Sequence, residues 1–219
     1  MLLPLVCTLA VTVAVQSQSA TDRLQLGDVL ILLISRTSSP QLADPAARVF
    51  VADRGTRKGQ TAIAVSGARP TGGAGEGERF EYQLVGPGSA GPLPSVDVLG
   101  LHYVKVQPDR IDAFERFVRE SVHPAVGNLR PDLRILYYKD VRTAGSYLAL
   151  FALTRASRDK YWPKGADSDE LRAAFAPLTP LVAQLRAYLV EGSYLADPKF
   201  AAAVFESRDW TDFVLLPQR

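Results

Sequence analysis

The chain has 219 residues and a formal net charge of +2, so it is long enough for one domain or two small ones. No basic run or basic helix face stands out, and we expect no nucleic-acid partner. The single cysteine is Cys7 and there are two histidines, which excludes disulfides and argues against thiolate or histidine-rich metal sites; we expect neither a metal nor a cofactor.

The first twenty residues predict an export signal. An uncharged apolar run of roughly 14 residues from Leu2 to Val15 is followed by small polar residues up to Ala20. This length is typical of a secretory signal peptide and is short for a membrane-spanning helix. We therefore predict a signal peptide at 1–20, no stable membrane span after cleavage, and a periplasmic or secreted bacterial protein. A retained N-terminal anchor is the alternative.

Residues 21–95 predict a small β-rich region that is partly flexible. Its short β-like runs are Val29–Ile34, Arg48–Val51 and Phe80–Val85. A charged hairpin turn is expected between Val51 and Ala62, and the glycine-rich stretch 66–78 is expected to form a loop. A linker rich in glycine and proline, at 86–95, then separates this region from the rest of the chain.

From Val96 onward the pattern is clearer. The alternation over Val96–Val106 predicts a strand, with Leu99, Leu101 and Tyr103 on one face and His102 among valines on the other. The predicted helix that follows begins near Asp109, buries an apolar stripe and ends at His123-Pro124, because proline disfavours helical geometry in the residue before it.

The remaining elements alternate between strand and helix. Two strands are predicted at Leu133–Val141 and Ser146–Thr154. Two short helices are expected from Asp167 onward, joined at a kink that Pro177 and Pro180 produce. Tyr188–Tyr194 is predicted to be the closing strand, and Trp210–Leu216 an edge strand or an arm.

This order, β-α-β-β-α-β, predicts a ferredoxin-like α+β domain over 96–219. Helices would cover one face of its four-stranded sheet, and the other apolar face would need a second layer. A second copy of the sheet would supply that layer in a homodimer. The N-terminal segment is the alternative source.

The segment Leu101–Glu115 resembles the first strand and helix of the dimeric α/β-barrel superfamily, which includes antibiotic-biosynthesis-monooxygenase-like and NIPSNAP-like domains. The resemblance extends over Val96–Tyr194, the C-terminal half only. It implies a homodimer whose two sheets close into a barrel, with a pocket inside the barrel or between a sheet and its helices. Haem-degrading relatives use a histidine on a helix, and His123 is the residue nearest to such a position.

Six residues are candidates for a site. His102 is the candidate catalytic residue, since it lies mid-strand beside Gly100, which leaves space for a ligand; a buried histidine with one hydrogen bond is the alternative. The candidate pocket residues are Tyr103, Tyr137, Tyr138 and Tyr147 from adjacent strands and Trp162, which could belong to a lid. Their alternative role is in the core.

The sequence therefore predicts a binding module for a small apolar or aromatic ligand, or a module that serves assembly only. The alternative is a cofactor-independent monooxygenase or isomerase acting on a small aromatic or polyketide-like substrate. In that case His102 would be the base, and the tyrosines would orient the substrate. Whether the chain is an enzyme stays open at this level.

Overall fold

The structure is a computed structural model that describes residues 23–36, 46–67, 77–129, 132–163, 168–196, 205–207 and 209–217. The strands before residue 90 are β1 (Leu24–Gln25), β2 (Val29–Ser35), β3 (Arg48–Gly55), β4 (Thr61–Ser66) and β5 (Glu78–Leu84). The later strands are β6 (Ser95–Val96), β7 (Val98–Lys105), β8 (Arg134–Asp140), β9 (Ser146–Leu153), β10 (Tyr194–Ala196), β11 (Phe205–Ser207) and β12 (Asp209–Leu215).

Helices follow β7 and β9 only, within the described ranges. They are α1 (Ile111–Phe117), α2 (His123–Leu129), α3 (Arg155–Tyr161), α4 (Asp169–Phe175) and α5 (Thr179–Arg186). A π-helical turn, Val118–Val122, links α1 to α2, and a 3-10 turn, Ala176–Leu178, links α4 to α5. None of the described helices has the length and apolar character needed to cross a bilayer.

Eight strands close into one barrel in the order β12-β3-β4-β2-β5-β8-β9-β7, and every neighbouring pair is antiparallel. The C-terminal strands lie in the order β12-β7-β9-β8, with helices after the first and third of them in the chain. This is the predicted ferredoxin-like β-α-β-β-α-β arrangement.

The N-terminal strands repeat this order. Numbered along the chain, the four strands of each half lie as fourth, first, third, second: β5-β2-β4-β3 in one half and β12-β7-β9-β8 in the other. The halves are joined by two seams, β5–β8 and β12–β3. One chain thus forms both sheets of the barrel.

The barrel interior is a packed apolar core drawn from both halves. Its fully buried members include Leu30, Leu32, Phe50, Tyr82, Leu99, Leu101, Tyr138, Leu150 and Phe213. The apolar face of the C-terminal sheet, which was predicted to need a second layer, is therefore covered by the N-terminal strands. The N-terminal segment was the alternative to a second subunit. The reason given for a homodimer does not hold, and the homodimer itself stays a prediction that the structure does not test.

The predicted closing strand Tyr188–Tyr194 is wrong. Leu189 forms an isolated bridge with Val106, Gly192 has φ +78°, which turns the chain, and Tyr194 already belongs to β10, which pairs with β11. The strand beside β7 is β12, which was predicted to be an edge strand or an arm. Its Phe213 faces the barrel interior and its Val214 faces the helices, so this segment has the apolar residues that both faces require.

The predicted helix end at His123-Pro124 is also wrong, because a π turn lets the helix continue. The backbone N–H of His123 donates to the carbonyl of Val118, five residues back. Pro124 therefore falls in the first turn of α2, where a missing N–H is tolerated. The expected kink at Pro177 and Pro180 is confirmed by the 3-10 turn.

Replacing Leu215 by alanine should lower the free energy of unfolding by about 2–5 kcal/mol, because this residue of β12 lies in the barrel core and is 7% exposed. Its neighbour Leu216 is 36% exposed, and Leu216→Ala should change stability by less than about 0.5 kcal/mol. Urea unfolding of both variants measures the difference. Equal losses would contradict the closure of the barrel by β12.

Candidate functional site

Three residues form a row across the outer face of the C-terminal sheet. His102 on β7 pairs with Ala149 on β9, and Ala149 pairs in turn with Tyr137 on β8. Register partners on neighbouring strands point to the same face, so a small side chain lies between two large polar ones. All three residues line one cavity between the sheet and the helices.

The cavity has a volume of about 40 Å³, is partly open to solvent and has no charged lining residue. Besides the row, its lining consists of Val122, Val126, Ile135, Phe151, Phe175, Leu178, Leu181, Val182 and Leu185. Leu181, on α5, is the most exposed of the lining residues, and we take the mouth of the cavity to lie beside it.

His102 is a buried, neutral imidazole. It is 9% exposed, and within the described part of the chain its Nδ1 has no hydrogen-bond partner. Phe151 lies 4.6 Å away between ring centroids, and Trp210 stacks on the imidazole at 6.1 Å. Burial lowers the pKa of His102 to about 4, because the charged form would lose its hydration.

Tyr137 supplies the second polar group of the cavity. It is 2% exposed, and no hydrogen bond joins its hydroxyl to another residue of the described ranges. Burial raises the pKa of Tyr137, so the phenol keeps its proton and can donate or accept one hydrogen bond.

The other predicted pocket residues lie elsewhere. Tyr103 and Tyr138 belong to the barrel interior, where the Tyr138 hydroxyl donates to the carbonyl of Gly27 at 2.8 Å. The Tyr147 hydroxyl donates to Glu115 at 2.7 Å. Trp162 packs against Phe151 at the end of α3 and does not line the cavity. The lid suggested around Trp162 would extend over 161–165, and 164–165 lie outside the described residues.

Gly100 does not open space for a ligand, contrary to the prediction. A Cβ at this position would lie 3.0 Å from the Cβ of Phe151 and 3.3 Å from Oδ1 of Asp212. The gap beside His102 is therefore filled by these two side chains. The space that matters lies above Ala149, in the next strand.

Sequence reasoning missed Ala149. A signal for it exists: the outward positions of β9 are Tyr147, Ala149, Phe151 and Leu153, and the alanine is the only small one among them. Leu178, Val182 and Leu185, which form part of the helical wall of the cavity, were not among the predicted site residues either. Strand register, which the sequence does not specify, aligns Ala149 with His102 and Tyr137.

His123 has no nitrogen available for a ligand. Its Nε2 accepts from the backbone N–H of Tyr137 at 3.0 Å, and its Nδ1 lies 2.8 Å from Oγ of Ser89. Burial, together with nearby Arg134, lowers the pKa of His123 to about 4. His123 is the residue nearest to the position of the haem-linked histidine that the family resemblance implies, and both of its ring nitrogens make internal hydrogen bonds. No cluster of three metal-ligating side chains occurs in the described ranges.

Comparison with known proteins gives likeness to solved structures only. No family model matches the chain, and no curated protein matches it. An uncharacterised ferredoxin-fold protein from Listeria monocytogenes, related to antibiotic biosynthesis monooxygenases, is 12% identical; the match covers 89% of this chain and 98% of that one, with a TM-score of 0.39. A monooxygenase-like protein from Listeria innocua is 11% identical over 88% and 96%, with a TM-score of 0.42. Likeness this distant says nothing about ligand or reaction.

Acid should destabilise the protein through its two buried histidines. Each has a folded-state pKa of about 4, below the ordinary value of 6.5, so the unfolded chain takes up protons first as the pH falls. The part of the free energy of unfolding that depends on these neutral histidines is complete above pH 6.5. It is lost as the pH falls towards 4, by about 3 kcal/mol for each histidine. In His102→Phe this loss should be roughly halved in urea unfolding at several pH values. An unchanged loss would contradict the buried neutral state of His102.

Proposed function

We propose that this chain binds a small, neutral, mostly apolar molecule above Ala149 and holds it by hydrogen bonds to His102 and Tyr137. The observation that carries the proposal is that two buried residues line one apolar cavity: His102, whose Nδ1 is buried without a partner in the described residues, and Tyr137, whose hydroxyl makes no hydrogen bond there. An unsatisfied buried polar group costs about 1–3 kcal/mol. A ligand that bonds to both groups offsets that cost.

The lining supports a neutral ligand. No lysine, arginine or carboxylate borders the cavity, so an ionised molecule would lose its hydration without gaining a charged partner. The apolar walls from α5 and from β9 favour a hydrocarbon body. The two polar groups favour a hydroxyl or a carbonyl at its inner end.

The volume limits the size of the ligand. A cavity of about 40 Å³ holds roughly three water molecules, whereas a cavity that encloses benzene measures roughly 150 Å³. A single ring would therefore place its polar end beside His102 and extend towards the mouth at Leu181. A polyketide-like substrate would not be enclosed.

Binding is favoured over base catalysis. A pKa of about 4 for His102 means that the imidazolium is disfavoured by about 3 kcal/mol relative to water. A monooxygenase or isomerase that used His102 as its base would have to form that cation at a position where burial disfavours it. Neutral His102 suits a hydrogen-bonding role, and the enzymatic alternative is the weaker one.

We also propose that the chain is exported, on the basis of the apolar segment Leu2–Val15, which lies outside the described residues. Mass spectrometry of the protein recovered from outside the cytoplasm should show a mature chain that begins near Thr21. Recovery with Met1 intact would contradict cleavage and favour a retained anchor.

Phenol should bind more tightly than toluene, roughly threefold to tenfold, because one net hydrogen bond adds about 1 kcal/mol. In Tyr137→Phe this preference should shrink while toluene affinity stays within about twofold. Titration followed by NMR measures both dissociation constants. Tyr138→Phe is the matched control, because this neighbouring hydroxyl bonds to Gly27 inside the barrel and should leave the preference unchanged.

A second variant tests the position of the ligand. Ala149→Leu should weaken both probes at least tenfold by filling the cavity, whereas Ala173→Leu on the exposed face of α4 should change neither. Equal binding by the wild type and Ala149→Leu would contradict the site. A cavity that held only ordered water, with neither probe displacing it, would contradict the function.

A further inference from the structure

The edge of β8 is held by a side chain at the point where strand pairing ends. β5 pairs with β8 only over Tyr138–Asp140, through the partners Leu84, Gln83 and Tyr82. One residue earlier, the carbonyl of Tyr137 accepts from the N–H of Val85. The N–H of Tyr137 would need a further acceptor, and Nε2 of His123 provides it at 3.0 Å.

The two bonds of His123 define its tautomer. Nε2 accepts a hydrogen bond, so it carries the lone pair, and in the neutral ring the proton lies on Nδ1. Nδ1–H then donates to Oγ of Ser89, in the turn that follows Val85. The imidazole therefore joins three parts of the chain: α2, β8 and the 86–91 turn.

The π turn gives His123 this position. It precedes α2 directly, and both Val122 at its end and Val126 in α2 line the cavity. His123 is 2% exposed and is the first residue of α2. The residue that anchors the helical wall of the cavity is thus also the residue that bonds to the backbone of Tyr137.

We propose that His123 is a positioning residue of the ligand site, which fixes the Tyr137 hydroxyl and the α2 wall relative to each other through the bond from the Tyr137 N–H to Nε2. The inference rests on the proposed function. His123 itself does not touch the ligand, because both of its nitrogens are engaged. Without the acceptor, the N–H of Tyr137 is left unsatisfied and the link between α2 and β8 is lost, so the Tyr137 hydroxyl shifts relative to the α2 wall and bonds less well to the polar end of the ligand.

The test compares variants that keep or remove the acceptor. His123→Phe keeps the ring and removes both hydrogen bonds, and the preference for phenol over toluene should fall to that of Tyr137→Phe. Toluene affinity should change less than about twofold, because the apolar walls stay. His123→Gln offers an amide oxygen near the place of Nε2 and should restore at least half of the preference. If His123 had only a structural role, His123→Phe would not change the ratio of the phenol and toluene affinities, and His123→Gln would not restore that ratio.

Two further measurements keep the proposal falsifiable if His123→Phe does not fold. Ser89→Ala removes the partner of Nδ1–H and should lower the preference roughly twofold to threefold. Nitrogen-15 NMR of the wild type should show His123 as the Nδ1–H tautomer, and the Nε2–H tautomer would overturn the inference. A wild-type preference kept in His123→Phe or in Ser89→Ala would overturn this inference alone. A wild type without any preference would overturn the proposed function as well.

Discussion

The structure depends on burial of the inner apolar faces of two sheets against each other. Neither sheet could leave residues such as Leu101 or Phe50 in water, and each is buried completely in the interior of the barrel. The two seams, β5–β8 and β12–β3, hold the sheets together, so that no strand of the barrel has an unpaired edge. Because both sheets belong to one chain, this burial needs no second molecule.

The filled interior determines where a ligand can bind. Tyr82, Tyr138 and Phe213 occupy the barrel core, so the open space lies on the outer face of the C-terminal sheet, under short helices. There Ala149 leaves a gap between two polar side chains, and the apolar residues around it favour a neutral occupant. The π turn and His123 then connect the helical wall of that gap to the strand that carries Tyr137.

The sequence predicted what depends on local pattern. Alternation placed His102 on the face of β7 opposite Leu99 and Leu101, and the prolines at 177 and 180 predicted the break between α4 and α5; both are confirmed. Predictions failed where long-range pairing decides. The segment of β12 was predicted to be an edge strand or an arm, because nothing local shows that it lies between β7 and β3. The alignment of Ala149 with His102 and Tyr137 likewise follows from the pairing register of the strands. Period-two alternation shows which face a residue lies on but does not determine that register.

If a single chain closes the barrel, the seam between β12 and β3 forms within one molecule. In a sample shown by sedimentation to be monomeric, NMR should detect cross-strand contacts between Val214 and Val51 and between Leu215 and Phe50. These contacts should persist on dilution and should occur within one labelled chain. Contacts found only between differently labelled chains, or lost when the protein becomes monomeric, would contradict it.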